Sequence, residues 1–188
     1  MMARFFHYEI RHTTPADATL AADWSAAQLQ TREFSEIANA VSFWMEQRLG
    51  PPRKESFIVF EEREEVSLAS HPAMSKQVYV NHYPLAFVKT EHVTPIQVRI
   101  HFQASPTVSR LKLLKAVYKL VPLIEKGLAL RGVRLIFFTS HSEAMAAFMT
   151  KHLKYRYYGD AGTDGMIMAK RMASTVAFTT NPSQPVGR

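Results

Sequence analysis

Cysteine is absent from all 188 residues, which excludes disulfides, thiolate metal sites and a thiol nucleophile. Glycine is scarce, seven in all, and none lies between Gly50 and Gly127. A glycine-rich phosphate cradle in the middle of the chain is thereby excluded, because such cradles need residues that let the backbone approach the phosphates closely. Long hydrophobic runs are also missing. No stretch approaches the roughly 18 apolar residues of a membrane-spanning helix. Arg4, His7 and Glu9 interrupt the first ten residues, so they lack the unbroken apolar segment of a signal peptide. A soluble, cytoplasmic protein is the expectation.

What is present fits one ordinary α/β domain over 1–173, followed by a flexible tail over 174–188 that is poor in large apolar residues. Hydrophobic residues make up 47% and charged residues 21%, near the globular average. The net charge of +7 is uneven: residues 1–107 carry 10 Lys+Arg against 12 Asp+Glu, and 108–188 carry 13 against 4. A basic second half attracts phosphates, nucleic acid or an acidic protein partner through its long-range field.

Along the chain, alternation over 5–11 predicts a strand, and Thr13-Thr14-Pro15 predicts a helix start, with a helix over 15–27. A second helix is expected over 32–49, ended by Gly50-Pro51-Pro52. Phe57-Ile58-Val59-Phe60 reads as a short strand, and Glu61-Glu62-Arg63-Glu64-Glu65 reads as a solvated turn or strand edge. It does not read as a metal site, since hard-metal sites draw carboxylates from several elements. Residues 77–80, a turn at Asn81-His82 and 84–90 form an expected hairpin. A strand over 96–102 puts Val98, Ile100 and Phe102 on one side and Gln97, Arg99 and His101 on the other.

The longest helix is expected over 107–130, capped by Ser105 or Thr107, with Leu111, Leu114, Tyr118 and Val121 as its apolar stripe and a kink or split at Pro122. A buried strand over 133–139, a short helix to His152 capped by Ser140 or Ser142, a strand from Tyr155, a glycine-rich turn over 159–165 and a closing strand over 166–171 complete the reading. His141 and His152 are 11 residues apart and lack a third ligand, so no structural zinc, and no metal, is expected. Tyr155, Tyr157 and Tyr158 interleave with Lys151, Lys154 and Arg156 as on single-strand nucleic-acid platforms, but an alternating strand with Tyr155 and Tyr157 on one face explains the same pattern and is the favoured reading.

The order of elements from 96 to 171 resembles the GNAT superfamily of N-acyltransferases. It runs through Arg131-Gly132, Leu135-Ile136-Phe137-Phe138, the segment Phe148 with 152–159, and Asp164-Gly165-Met166-Ile167-Met168. The resemblance implies an α/β fold of the α+β kind, with a mixed, mostly antiparallel sheet splayed at its centre and about four flanking helices. It implies acetyl-CoA as the acyl donor, held by backbone groups of a splayed strand and by an Arg/Gln-x-x-Gly-x-Gly/Ala loop. The corresponding stretch here, 105–110 or 112–117, has no glycine, so weak or absent cofactor binding is expected. Val98, Ile100 and Phe102 would line the cofactor arm, and Ser109 and Arg110 would face its phosphates. The family's proton-donating Tyr would fall at Met149 or Thr150. His101, His92 and Glu91, on or beside the central strands, are candidate bases for an incoming amine.

Two functions follow as expectations. One is an acyl-CoA-dependent N-acyltransferase acting on an amine. The other is a catalytically inactive GNAT-like assembly protein, for example a bacteriophage virion component, that binds a protein or nucleic-acid partner through its basic half. An open space between the strands over 96–102 and 133–139 would favour the first, and side chains filling it the second.

Overall fold

The structure, a computed structural model, describes residues 7–27, 37–67 and 77–173. The strands are β1 (His7–His12), β2 (Lys54–Ser67), β3 (Gln77–Thr94), β4 (Gln97–Ala104), β5 (Leu135–Ser140), β6 (Arg156–Asp160) and β7 (Met166–Arg171). The helices are α1 (Ala18–Ala27), α2 (Ile37–Met45), α3 (Arg110–Leu130) and α4 (Glu143–Leu153). The strands form one sheet in the order β1-β2-β3-β4-β5-β7-β6, antiparallel throughout except where β4 meets β5. This is the mixed, mostly antiparallel sheet with four helices that the resemblance implies. None of the described helices is long and apolar enough to cross a membrane. The tail over 174–188 lies outside the described residues.

Period-two alternation sorts the side chains onto two faces. On one, Ile58 of β2 and Phe87 of β3 pack against Ala21 and Trp24 of α1 and Trp44 of α2. On the other, Val59, Ala86 and Val88 pack against Ala116 and Leu120 of α3. A third cluster joins Val98, Ile136 and Met168 to Val117 and Leu128 of α3 and Ala146, Met149 and Leu153 of α4. Side chains here are fully buried, worth roughly 1.5–3 kcal/mol for each large apolar one.

Several boundaries differ from those expected. The hairpin over 77–90 is instead the single strand β3, with Asn81 opposite Arg63 and His82 opposite Glu62. Asn-His lacks the glycine a two-residue turn favours, and the acidic run on β2 supplies a ladder partner instead of a turn. The register slips once: Val59 faces Ala86 and Phe60 faces Pro84, which leaves Leu85 as the extra residue. A bulge suits a proline, which has no N–H to donate to the ladder. The freed Leu85 carbonyl accepts the Ser105 N–H at 2.8 Å and so anchors the loop leading into α3.

The second helix ends at Met45, not at 49. Its exit is recruited by β2: the Ser56 hydroxyl donates to the Glu46 carbonyl at 3.0 Å, and Arg48 and Lys54 exchange two backbone hydrogen bonds at 2.8 Å. Residues 32–36 lie outside the described part. Helix α3 begins three residues later than expected and is capped by Ser109, whose hydroxyl accepts from the Lys112 N–H, not by Ser105 or Thr107. Pro122 does not split it. The buried stripe is Ala116, Val117, Leu120 and Leu128, whereas Leu111 and Tyr118 are exposed. The expected stripe was displaced around the helix because α3 lies between two apolar clusters. Ser142 caps α4 by accepting the Met145 N–H. Tyr155 is buried ahead of β6, while Tyr157 and Tyr158 are both exposed, so Tyr155 and Tyr157 do not share an environment.

Gly165, at φ +87°, turns the chain from a short 3-10 segment (Gly162–Asp164) into β7. A Cβ there would stand 2.6 Å from the Ser140 carbonyl oxygen at the end of β5. Only glycine meets both demands.

Candidate functional site

Strands β4 and β5 run parallel through just three residue pairs, Gln97 with Leu135, Val98 with Ile136 and Arg99 with Phe137. Beyond Arg99, β4 continues to Ala104 paired only with β3, and beyond Phe137, β5 continues to Ser140 paired only with β7. The two strands therefore diverge into a wedge, and the backbone edges of 100–104 and 138–140 that face each other share no ladder. Strand edges left unpaired are docking surfaces for an extended ligand.

The mouth of this wedge carries chemistry on the α1–α2 face. At its vertex the Arg99 guanidinium lies over the Phe137 ring, 5.3 Å from the centroid. Two residues along β4 stands His101, with the Phe43 ring of α2 edge-on at 4.9 Å and 85°. Glu91 of β3 brings its Oε2 to 3.6 Å from His101 Nε2. That nitrogen is buried and faces the Glu91 carboxylate at the limit of hydrogen-bond range. Burial pushes the imidazole down from its ordinary 6.5 to about 4, against the opposing pull of the Glu91 charge. His101 is thus neutral at pH 7.

An ionic lattice supports the pair. Lys89, opposite His101 in the ladder, is completely buried. Its Nζ donates to Glu46 Oε2 at 2.7 Å and to the Phe43 carbonyl at 2.8 Å, and it lies 3.8 Å from the Phe43 ring centroid. Lys54 Nζ reaches Glu46 at 3.1 Å and Glu91 at 3.5 Å. Burial alone would raise Glu46, but Lys89 and Lys54 outweigh it and hold the carboxyl below its usual range. For Lys89 desolvation prevails, and its pKa is lowered despite Glu46.

The structure thus brings His101 and Glu91 together and separates the other candidates from them. His92 projects from the opposite face of β3, where burial and then Arg131 and Arg53 lower its pKa. Thr150 is exposed on α4, and the neighbouring Met149 is sealed in the core, so neither is placed beside the His101–Glu91 pair. Val98 is fully buried in the paired part of β4, below the divergence. Ile100 and Phe102 lie along the diverging part, and Phe102 is exposed. The Ser109 hydroxyl is engaged in capping, and Arg110 is exposed at the first turn of α3. Sequence reasoning missed Phe43, Glu46, Lys54 and Lys89. A lysine inside the apolar run Leu85-Ala86-Phe87-Val88-Lys89 was the available signal, because a buried ammonium requires a partner.

Beside the α3 entry lies a separate cleft of about 270 Å³, lined by Leu20 and Trp24 of α1, Leu85 of the bulge, Ser105 and Thr107 of the loop, and Lys112. Lys112 Nζ stands 3.4 Å from the buried Glu61 carboxylate.

Neither a family model nor a curated protein sequence matches the chain. Solved structures do. An acetyltransferase of the GNAT family from Streptococcus pneumoniae superposes with a TM-score of 0.55 at 12% identity, over 89% of this chain and 100% of that one. The N-acetyltransferase PseH from Campylobacter jejuni, in complex with acetyl coenzyme A, gives 0.52 at 10% identity over 89% and 100%. The aminoglycoside 6'-N-acetyltransferase from Enterococcus faecium gives 0.54 at 15% identity over 87% and 96%. The fold is that of these acetyltransferases.

Proposed function

We propose that this chain, with its GNAT fold, is an acyl-CoA-dependent N-acyltransferase whose wedge takes the acyl donor and whose His101 takes the proton of the acceptor amine. The observation that carries the reading is the divergence of β4 from β5 after Arg99 and Phe137. A ladder continued beyond Arg99 and Phe137 would leave no unpaired backbone for an extended pantetheine arm. The backbone edges of 100–104 and 138–140 fit such an arm, and the partly exposed His101 imidazole beside Glu91 fits a nearby proton donor.

The donor supplies an activated acyl group as a thioester. The chain's own residues do the rest. Backbone groups of β4 orient the carbonyl and polarise it. As the amine nitrogen bonds the acyl carbon, the carbon–sulfur bond of the thioester would break and CoA would leave as its thiol, the amine's proton passing by way of the His101 imidazole, whose charged form Glu91 would stabilise. Phe43 fixes the ring, and Lys89 fixes Phe43. At the α3 N-terminus the first amides lack intrahelical acceptors and carry the positive end of the helix dipole. With Arg110 beside them they attract phosphates, without the close backbone approach that glycines would permit. This supports a weaker donor site than a glycine loop gives.

Titration calorimetry of the full chain with acetyl-CoA tests the proposal, with transfer to a panel of primary amines as the second readout. Binding by the wild type, and binding without transfer by His101→Gln, is expected. No heat at millimolar acetyl-CoA would overturn it.

The reading as a partner-binding protein draws on a different region. Edge strand β6 exposes Tyr157 and Tyr158 beside Arg156. If a single-stranded nucleic acid docks there, affinity falls steeply between low and physiological salt. Salt-independent binding would count against it.

A further inference from the structure

We propose a binding site for a late first-row divalent cation, best matched by zinc, formed by Glu9, Glu62 and His82 on three adjacent strands. It is independent of the wedge and of the acyltransfer reading. The sequence alone gave no reason to expect a metal, because the acidic run over 61–65 looked like carboxylates from a single element. The long β2–β3 ladder changes that. Glu62 pairs directly with His82 on β3, and Glu9 of β1 lies two residues along the ladder on the same face, opposite Phe60. Carboxylates and an imidazole therefore converge from three elements.

The separations suit a metal without rearrangement of the backbone. One potential ligand atom from each residue lies within 4.8 Å of the other two. His82 Nδ1 is 3.1 Å from Glu9 Oε2 and 3.9 Å from Glu62 Oε1. Ligands about 2.0–2.2 Å from a tetrahedral zinc stand about 3.4 Å from one another, so the two measured distances bracket the required edge. Small rotations about side-chain bonds suffice.

Charge and chemistry agree with geometry. Two carboxylates and an imidazole offer one nitrogen and several oxygen donors to a divalent ion. Arg11, on the same face of β1, directs both guanidinium nitrogens to Asp17 at 2.8 Å, so it does not neutralise the pair by hydrogen bonding. The imidazole selects against magnesium and calcium, which prefer all-oxygen shells. The three side chains are between one-third and one-half exposed, which leaves an entry path and a fourth position for water. The Phe60 ring stands edge-on to His82 at 6.2 Å and forms one wall.

Equilibrium dialysis and calorimetry of untagged full-length protein with zinc chloride in a non-coordinating buffer test the site. One equivalent of zinc is expected to bind, with magnesium not competing, and to raise the melting temperature of the wild type. His82→Ala and, separately, Glu62→Gln are each expected to weaken binding by at least about tenfold, with the zinc-induced rise in melting temperature lost. Circular dichroism of each metal-free variant should match the wild type, and the two substitutions guard against misfolding in either one. Absence of zinc binding by the wild type at millimolar concentration would overturn the proposal. So would undiminished binding by both variants, which would place the ion elsewhere.

Discussion

Between α3 and β7, Lys170 Nζ meets Glu125 Oε2 at 2.6 Å, and the Glu125 side chain is 7% exposed. Beside the wedge, Glu46, Lys54, Lys89 and Glu91 join four charges in a chain that ends on His101, and all but Lys89 reach the surface in part. Both clusters bury an ammonium against a carboxylate. The first pairs one cation with one anion within the cluster around Tyr155 and Met168, and Glu125 Oε1 is buried there as well. The second is open, and it terminates in the His101 imidazole, which is about a quarter exposed. A closed pair fixes one element to another. An open chain that ends on a partly exposed imidazole leaves a group within reach of something that is not part of the fold.

That contrast can be broken most directly at the closed pair. Glu125→Ala leaves the Lys170 ammonium without its partner, and a loss of about 3–5 kcal/mol in urea denaturation is expected. A loss below about 1 kcal/mol would mean the pair is not closed. At the open cluster the expected pattern reverses. His101→Gln should lower acyl transfer by about a hundredfold or more while leaving stability at pH 7 nearly unchanged. If unfolding free energy falls instead and transfer is retained, His101 is a packing residue.

A smaller effect sharpens the same point through pH. The folded-state pKa of His101, about 4, lies below its ordinary 6.5. The unfolded chain therefore binds the proton first as pH falls, and stability is lost from about 6.5 down to about 4. Between pH 7 and pH 5 the loss from this residue is up to about 2 kcal/mol, measured as the difference between wild type and His101→Gln. His92, also lowered, contributes equally to both proteins and cancels. Glu46, Glu55 and Asp17 are held low by their cationic partners, so their contributions are lost only at more acidic pH. The smallest expected effect is at Lys89. Its charge is one of the influences lowering His101, so Lys89→Met should raise the imidazole pKa by about half a unit, seen by NMR titration. A downward shift would show that loss of the lattice buries His101 further.

Much of the second half was legible because its signals are local. The apolar run Leu135-Ile136-Phe137-Phe138, Arg131-Gly132 after the long helix, and Ser142 before the short one each mark a boundary by their own chemistry. The first half was harder to read. Glu61-Glu62-Arg63-Glu64-Glu65 and Asn81-His82 carry the composition of turns, yet each is the other's ladder partner, a relation that composition does not encode. The site divided in the same way. His101 and Glu91 lie on neighbouring strands and were visible as candidates. Phe43 of α2 and Glu46 just past its end reach the site from more than forty residues away, and no spacing rule links them to Lys89. Their link is physical, since an ammonium in an apolar strand must be answered from somewhere.

The three rungs joining β4 to β5 have a mechanical meaning as well. In backbone terms the molecule is two smaller sheets, β1 to β4 and β5 to β6, stitched by a short seam and bridged by the crossover of α3. Any chain-like guest in the wedge would extend that seam by bonding to both margins. Occupancy would then be felt as stiffness across the whole sheet, and amide exchange along 100–104 and 138–140 would report it.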